Sequence, residues 1–520
     1  MKPRPPAWWL LVTCLLAALT APVARAQTSL QMSQLQNRYR VAKRAAALDA
    51  ARTAELAKLE AAATAARLRG ENGLAFRELQ RGLALLENRP WTAELAFTTS
   101  LVLVPGATVC DPAQPLPVQI RQLYPAALEA STPLTAQVML GRVVMAPEAK
   151  AKMRDARAVG TFPGVGDNLA QEPFRFTVVL SALEDGLYQL GVELRDGGRV
   201  VHRLSAPLVA MREFGRKREE TEARLAKVAG FDQAKASIRY PFDYARVLNS
   251  GTIELTPFDF RAELERGAGL LRSIEAGVDP FPAERGTLAR HYHFEEAGEI
   301  MPYRVVVPRS YDGSKPLPLV VALHGMGGTE NTFIQLGNGA LPRLAEERGF
   351  LVTTPLGYRR NGGYGRPGGG PLGALDPETA RMVRLSELDV LNVVRQVRAN
   401  YRVDPARIYL MGHSMGGGGT WVLGSRHAEI WAGLAPIASG GAAPGLLPLA
   451  NLKQHGIPVY LVHGDADRTA PVEVSRAMAA ELRNLGVQHE YHEIPGGTHG
   501  DVVGPAIPKI VDFFGRHARK

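Results

Sequence analysis

Two cysteines in 520 residues are too few for a disulfide framework. One of them, Cys14, lies inside an apolar N-terminal run, which leaves Cys110 without an internal partner in a processed chain. Beyond that run, no apolar stretch approaches the ~20 residues that a membrane helix needs. The histidines and acids show no zinc-ligand spacing. Lysines and arginines are interspersed with acids, as at 212–227 (REFGRKREETEARLAK), and form no basic stripe with interleaved aromatics. The net charge of +10 therefore does not point to nucleic acid. No internal repeat is visible. The sequence thus argues against a disulfide scaffold, an integral membrane span, a metal site and a nucleic-acid partner. With 46% hydrophobic residues it is also no disordered chain, and its length suits two or three domains.

Residues 1–26 have the form of a secretory signal peptide. Lys2 and Arg4 precede an apolar run from Ala7 to Leu19, and Ala24-Arg25-Ala26 is a small-residue cleavage site. Thirteen or so apolar residues are too short to span a bilayer. The expectation is an exported protein, periplasmic or extracellular, with a mature net charge of +7 once Lys2, Arg4 and Arg25 are removed.

Composition divides the rest. Residues 27–92 are rich in Ala, Leu, Glu, Arg and Lys, with Leu56 and Leu59, then Leu79, Leu83 and Leu86, at helical intervals. Across 93–212 the pattern changes to short β-like runs (95–104, 116–123, 134–140, 174–180, 187–194 and 200–209). A turn signal at Arg195-Asp196-Gly197-Gly198 separates the last two. This predicts a β-sandwich accessory domain, immunoglobulin-like in general form, and a candidate surface for cell-envelope or polysaccharide contact. Residues 213–285 return to helical composition and end in a linker. From 286 to 520, apolar runs at 305–307, 317–323, 351–354, 408–411 and 459–462 are interleaved with helical segments such as 387–401 and 472–485. That alternation predicts an α/β domain with a mostly parallel sheet covered on both faces.

The chemistry concentrates in 408–419, IYLMGHSMGGGG. An apolar strand runs into Gly412-His413-Ser414-Met415-Gly416, and helix-compatible residues follow. A G-x-S-x-G turn between strand and helix lifts the serine out of the sheet, and its glycines remove side chains that would clash. A serine hydroxyl needs a base, and the base needs an orienting carboxylate. In this arrangement both follow the serine, acid first, each after a later strand. The run VYLV ends in His463-Gly464-Asp465-Ala466-Asp467, and Tyr491–Ile494 leads to Pro495-Gly496-Gly497-Thr498-His499-Gly500. Ser414, Asp467 and His499 are the expected catalytic residues. Asp465 competes for the acid role; Asp467 is favoured because it lies deeper in its loop, and the other aspartate is expected to cap the turn. His463 ends its strand directly and is expected to be structural.

Acyl transfer also requires backbone donors aimed at the developing oxyanion. Met415, after the nucleophile, offers one N–H. Met326, in the turn Leu323-His324-Gly325-Met326-Gly327-Gly328, offers the other. Between these elements, residues 356–376 carry eight glycines but lack the Gly-Lys-Ser/Thr ending of a phosphate cradle. A mobile loop over the site is expected there, with Tyr364, Arg359 and Arg366 as candidate substrate contacts.

These motifs resemble the α/β-hydrolase superfamily, in particular its secreted esterase and prolyl-oligopeptidase-like branch, which includes polyhydroxybutyrate-depolymerase-like esterases. The resemblance covers about 298–515, through 323–328, 403–421, 434–441, 457–471 and 495–500. It implies the same catalytic residues, Ser414, Asp467 and His499, with Met326 and Met415 as oxyanion donors, no cofactor, and a small-molecule or polymer-linked ester as substrate. Two other readings remain in view: a serine peptidase of the same branch, and a cell-envelope binding protein on an inactive hydrolase scaffold.

Overall fold

In the computed structural model, residues 31–519 are described except 33, 37, 44, 130–132, 146–150, 367–376 and 441–443. The signal segment and the second half of the glycine-rich stretch lie outside the described residues. The chain divides into two compact units. One takes residues 242–259 with the chain up to 227; the other takes 228–241 and everything from 260.

In the first unit, helices Ala50–Leu68 and Asn72–Leu86 face each other through the leucines that the spacing singled out. Leu56, Leu79 and Leu83 are buried in one cluster with Ala63, Phe76 and Tyr124. The Asp49 side chain caps the first of these helices by accepting from Arg52 N–H at 2.8 Å. Eight strands follow: β1 (Leu101–Pro105), β2 (Val109–Cys110), β3 (Leu116–Gln122), β4 (Leu134–Met145), β5 (Ala151–Val165), β6 (Phe174–Val178), β7 (Gly186–Asp196) and β8 (Arg199–Ala210). They form a three-stranded sheet, β1-β3-β6, and a five-stranded sheet, β2-β8-β7-β4-β5. Val118, Ile120 and Val178 of one sheet and Val138, Leu190 and Leu208 of the other are buried in a single cluster.

Two expectations change here. The run at 95–104 is not one strand: Ala93–Ser100 is a helix, and only Leu101–Pro105 is extended. Thr92 explains the switch, since its side chain accepts from Leu95 N–H at 3.1 Å and starts a helical turn. Strand β5 is unanticipated. It lies at the edge of its sheet, residues 155–158 are exposed, and such a strand needs no apolar alternation.

The second unit holds an eight-stranded sheet built from β9 (Gly286–Phe294), β10 (Glu299–Val307), β11 (Leu317–Leu323), β12 (Leu351–Pro355), β13 (Val403–His413), β14 (Gly433–Ile437), β15 (Val459–Gly464) and β16 (His489–Ile494). Their order is β16-β15-β14-β13-β11-β12-β10-β9. The pairs from β16 to β12 are parallel, while β10 runs antiparallel to both β12 and β9. Alternate strand residues enter two separate cores. Leu319, Val321, Leu410, Leu434 and Leu461 meet Val390, Trp421 and Met478, from helices Pro377–Asn400, Met415–Arg426 and Val472–Asn484. Val320, Tyr409, Met411, Ala435 and Val462 meet Leu341, Ile507 and Phe514, from helices Thr332–Arg348 and Val503–Gly515. Burial on both faces is why these strands read as near-continuous apolar runs. Parallel register brings Leu323, Gly412 and His413 level with Ile437 and its neighbours, and sets Gly464 beside Ile494. The loops leaving those residues therefore open at one edge of the sheet. No described helix is long and apolar enough to cross a membrane.

Candidate active site

Ser414 sits between the last residue of β13 and the first of the helix Met415–Arg426, with φ 57° and ψ −113°. That positive φ is unusual for a residue with a side chain. The surroundings hold it there: Ser414 N–H donates to Ile437 O at 2.9 Å, and its carbonyl accepts from Gly418 N–H at 3.0 Å and Gly440 N–H at 3.2 Å. Glycine is required on both sides of it. A Cβ on Gly412 would lie 2.3 Å from Gly416 O, and one on Gly416 would lie 2.1 Å from Leu323 O.

The loop after β16 brings His499 to Ser414, with Nε2 2.8 Å from the serine Oγ. Its other nitrogen, Nδ1, is 2.6 Å from Asp467 Oδ2, on the loop after β15. Because a carboxylate only accepts, Nδ1 carries the proton and Nε2 is left to accept from the serine hydroxyl. Asp467 Oδ1 accepts from Thr469 N–H at 2.7 Å and Ala470 N–H at 2.9 Å. Burial alone would raise its pKa. The hydrogen bonds from His499, Ala470 and Thr469 outweigh that and hold the carboxyl below its ordinary range. Asp465 instead accepts from Gly496 N–H at 2.6 Å, pinning the start of the His499 loop.

Three more histidines surround this line. His413 Nε2 donates to the His499 carbonyl at 2.7 Å, and the two rings are 4.7 Å apart. Burial, then the neighbouring His499, lowers the His413 pKa to about 4. His463 is wholly buried and lies 3.2 Å from Asp467 Oδ2 through Nε2. His324 is buried with its ring nitrogens 2.7 and 2.8 Å from the carbonyls of Gly325 and Leu356. The role of His413 against the His499 loop was not anticipated, although its place inside G-x-S-x-G was the available signal.

The turn 324–328 lies against the serine. A Cβ built on Gly325 would be 3.4 Å from Ser414 Cβ. Met326 follows, with 43% of its surface exposed, whereas Met415 is buried. Met415 is the first residue of its helix, where N–H groups have no intrahelical acceptor.

Two candidates of the glycine-rich segment are held by the protein itself. Arg359 makes a bidentate pair with Glu299, at 2.7 and 2.8 Å, and lies 3.9 Å over the Tyr358 ring. Tyr364 is fully buried, edge-on to His324, and fills the space where a Cβ on Gly419 or Gly357 would go. An aromatic ring is more favourably spent there as core. The described part of this segment is anchored by Asp389, a buried carboxylate on the helix Pro377–Asn400. Asp389 accepts from Tyr292 O–H at 2.5 Å, Gly357 N–H at 2.7 Å and Tyr358 N–H at 2.9 Å. Burial still pushes its pKa up to about 6. No motif marked it in the sequence. Arg366 is half-buried, with its Cδ 3.8 Å from the Cβ position of Gly418, the residue bonded to the Ser414 carbonyl. Among the described residues no carboxylate pairs with it, and no group of three His, Cys, Asp or Glu side chains gathers to hold a metal ion.

Ser414, Asp467 and His499 thus meet on segments that follow β13, β15 and β16 of an α/β sheet, and residues 304–503 match the Dienelactone hydrolase family model. A bifunctional acetylxylan esterase/xylanase of Neocallimastix patriciarum is 32% identical over 150 residues, covering 29% of this chain and 19% of that protein. A probable feruloyl esterase C of Aspergillus flavus is 25% identical over 209 residues, covering 38% of this chain and 68% of the relative. The chain thus spans about a fifth of the first relative's length and about two thirds of the second's. The crystal structure of a thermostable esterase aligns with 81% of this chain and all of its own, at 18% identity and a TM-score of 0.38.

Proposed function

We propose that the chain is an exported serine hydrolase that cleaves carboxylic esters through an acyl-enzyme formed on Ser414. The observation that carries this reading is the continuous line Ser414 Oγ, His499 Nε2, His499 Nδ1, Asp467 Oδ2, at 2.8 and 2.6 Å. His499 takes the serine proton as Oγ attacks the ester carbonyl. The N–H groups of Met326 and Met415 hold the oxyanion, and His499 passes the proton to the departing alcohol. A water then gives a proton to the same nitrogen as it attacks the acyl-enzyme, and His499 returns that proton to Ser414 Oγ as the acid departs. Asp467 stays ionised and steadies the imidazolium. Arg366 is the candidate of the glycine-rich segment that remains to contact the substrate.

The esterase names of the relatives point the same way, toward an ester carried by a small molecule or a polymer. The two-sheet first unit is proposed as an accessory region of immunoglobulin-like general form that meets cell-envelope or polysaccharide material. Cleavage after Ala26 would release the mature chain, and N-terminal sequencing of the exported protein checks it.

The decisive experiment is labelling with a fluorophosphonate, followed by turnover of short acyl esters and of peptides. Labelling that disappears in Ser414→Ala, with ester turnover, supports the proposal. No Ser414-dependent labelling would mean a binding protein on an inactive scaffold, and turnover of peptides alone would make the enzyme a peptidase.

A further inference from the structure

Among the described residues, His463 is the one histidine besides His499 that bonds the Asp467 side chain, and it approaches the same oxygen, Oδ2. Its Nε2 faces two acceptors, that oxygen at 3.2 Å and Ala470 O at 3.0 Å, so Nε2 carries the proton. The opposite nitrogen, Nδ1, is 2.6 Å from the hydroxyl of Ser475, which is buried on the helix Val472–Asn484. Ser475 therefore donates to Nδ1 and locks the tautomer that presents N–H to the carboxylate. Both side chains of the His463–Asp467 pair are inaccessible to solvent. A buried imidazole with both nitrogens satisfied and one aimed at a carboxylate is a built support, beyond the filling of space.

We infer that His463 is a positioning residue that orients Asp467 and, by sharing Oδ2, moderates how strongly that carboxylate holds the His499 imidazolium. This rests on the proposed roles of Ser414, His499 and Asp467. Without the second donor, Oδ2 concentrates its charge on His499, so the imidazolium is stabilised and the free base becomes available only at higher pH. The other titratable groups facing this line belong to its surroundings. His413, from the strand bearing the elbow, has its ring 4.7 Å from that of His499 and tilted against it. Asp465 binds Gly496 N–H and Asp501 binds Thr498 N–H on the His499 loop. Glu493 of β16, within electrostatic reach of His463, is bound by Arg476 and Tyr491.

The test compares full-length His463→Phe, His463→Gln and Ser475→Ala with the unaltered protein, in kcat/KM against pH on a short acyl ester. Fluorophosphonate labelling counts the folded, competent sites in each. The expected result for His463→Phe is a loss of roughly 10- to 100-fold per labelled site. Its acidic limb should move up by about half a pH unit or more. His463→Gln, whose amide can donate from a similar position, should recover most of the rate and return the limb. Ser475→Ala, which only releases the tautomer, should fall between them. Unchanged limbs in all three variants, or a glutamine variant no better than phenylalanine, would overturn the inference, whatever happens to stability. If His463→Phe does not fold, the glutamine and Ser475 variants still decide it. Ser414→Ala separates the two levels: turnover that survives it would sink the serine-hydrolase reading itself. An inactive Ser414→Ala beside unaltered His463 variants would sink only this inference.

Discussion

The Cα of Gly416 rests against the carbonyl of Leu323, so closely that a methyl group on it would sit 2.1 Å from that oxygen. This contact locks the start of the elbow helix onto the end of β11, the strand that leads into the Met326 turn. Both proposed oxyanion donors thus depend on one glycine. Gly416→Ala should cost roughly 2–3 kcal/mol of stability, as overpacking does where backbone cannot give. It should also abolish fluorophosphonate labelling in the molecules that remain folded. Gly504→Ala, in a helix where the new methyl meets nothing, is the control and should stabilise slightly. Equal labelling in the two variants would contradict the dependence.

Asp467 and Asp465 lie two residues apart and do different work. Asp467→Asn should lower kcat by about 10⁴-fold with little change in fold, because the amide can turn its donor toward His499 and impose the wrong tautomer. Asp465→Asn should cost far less, since an amide oxygen can still accept from Gly496 N–H. Steady-state kinetics on one ester checks both, and a larger loss for Asp465→Asn would exchange the proposed roles.

What the sequence made legible follows from how local each signal is. The runs 317–323, 408–411 and 459–462 of β11, β13 and β15 stood out because burial on both faces favours apolar residues, and the elbow because its glycines are steric necessities at Gly412 and Gly416. Ser414, Asp467 and His499 each follow a recognisable strand, so their meeting could be anticipated from order alone. Edge strands carry no such pattern, which is why β5 escaped notice. The partners of the glycine-rich segment were hidden for another reason. Glu299 and Asp389 reach Arg359 and Gly357 only through tertiary contacts, 60 and 32 residues away. A loop full of glycine and arginine looks free until its partners are placed.

Arg359 and Arg366, seven residues apart in one segment, should therefore respond oppositely to truncation. Arg359→Met leaves the half-buried Glu299 without its partner and should cost about 3 kcal/mol, seen as a lower melting temperature with KM unchanged. Arg366→Ala should leave the melting temperature nearly unaltered and raise KM. A raised KM for Arg359→Met at unchanged stability would restore it as a substrate contact.

His413 makes the stability of the second unit depend on pH. Its imidazole titrates at about 4 in the folded chain, because burial and the adjacent His499 disfavour its charge. Unfolded, the same ring titrates near ~6.5. Between those values the unfolded chain binds the additional proton, so the stability gained from keeping the ring neutral is complete above the upper value and lost as pH falls toward the lower. The full difference corresponds to about 3 kcal/mol. His413→Gln can still donate to the His499 carbonyl but cannot titrate in this range. Denaturant unfolding at pH 7.5 and pH 4.5 should show the unaltered protein losing more stability than the variant, by roughly 2–3 kcal/mol. Equal losses would mean that His413 is not the group taking up the proton. Because the ring is neutral throughout the range where a histidine base works, the Gln variant should keep the shape of the activity profile near neutral pH.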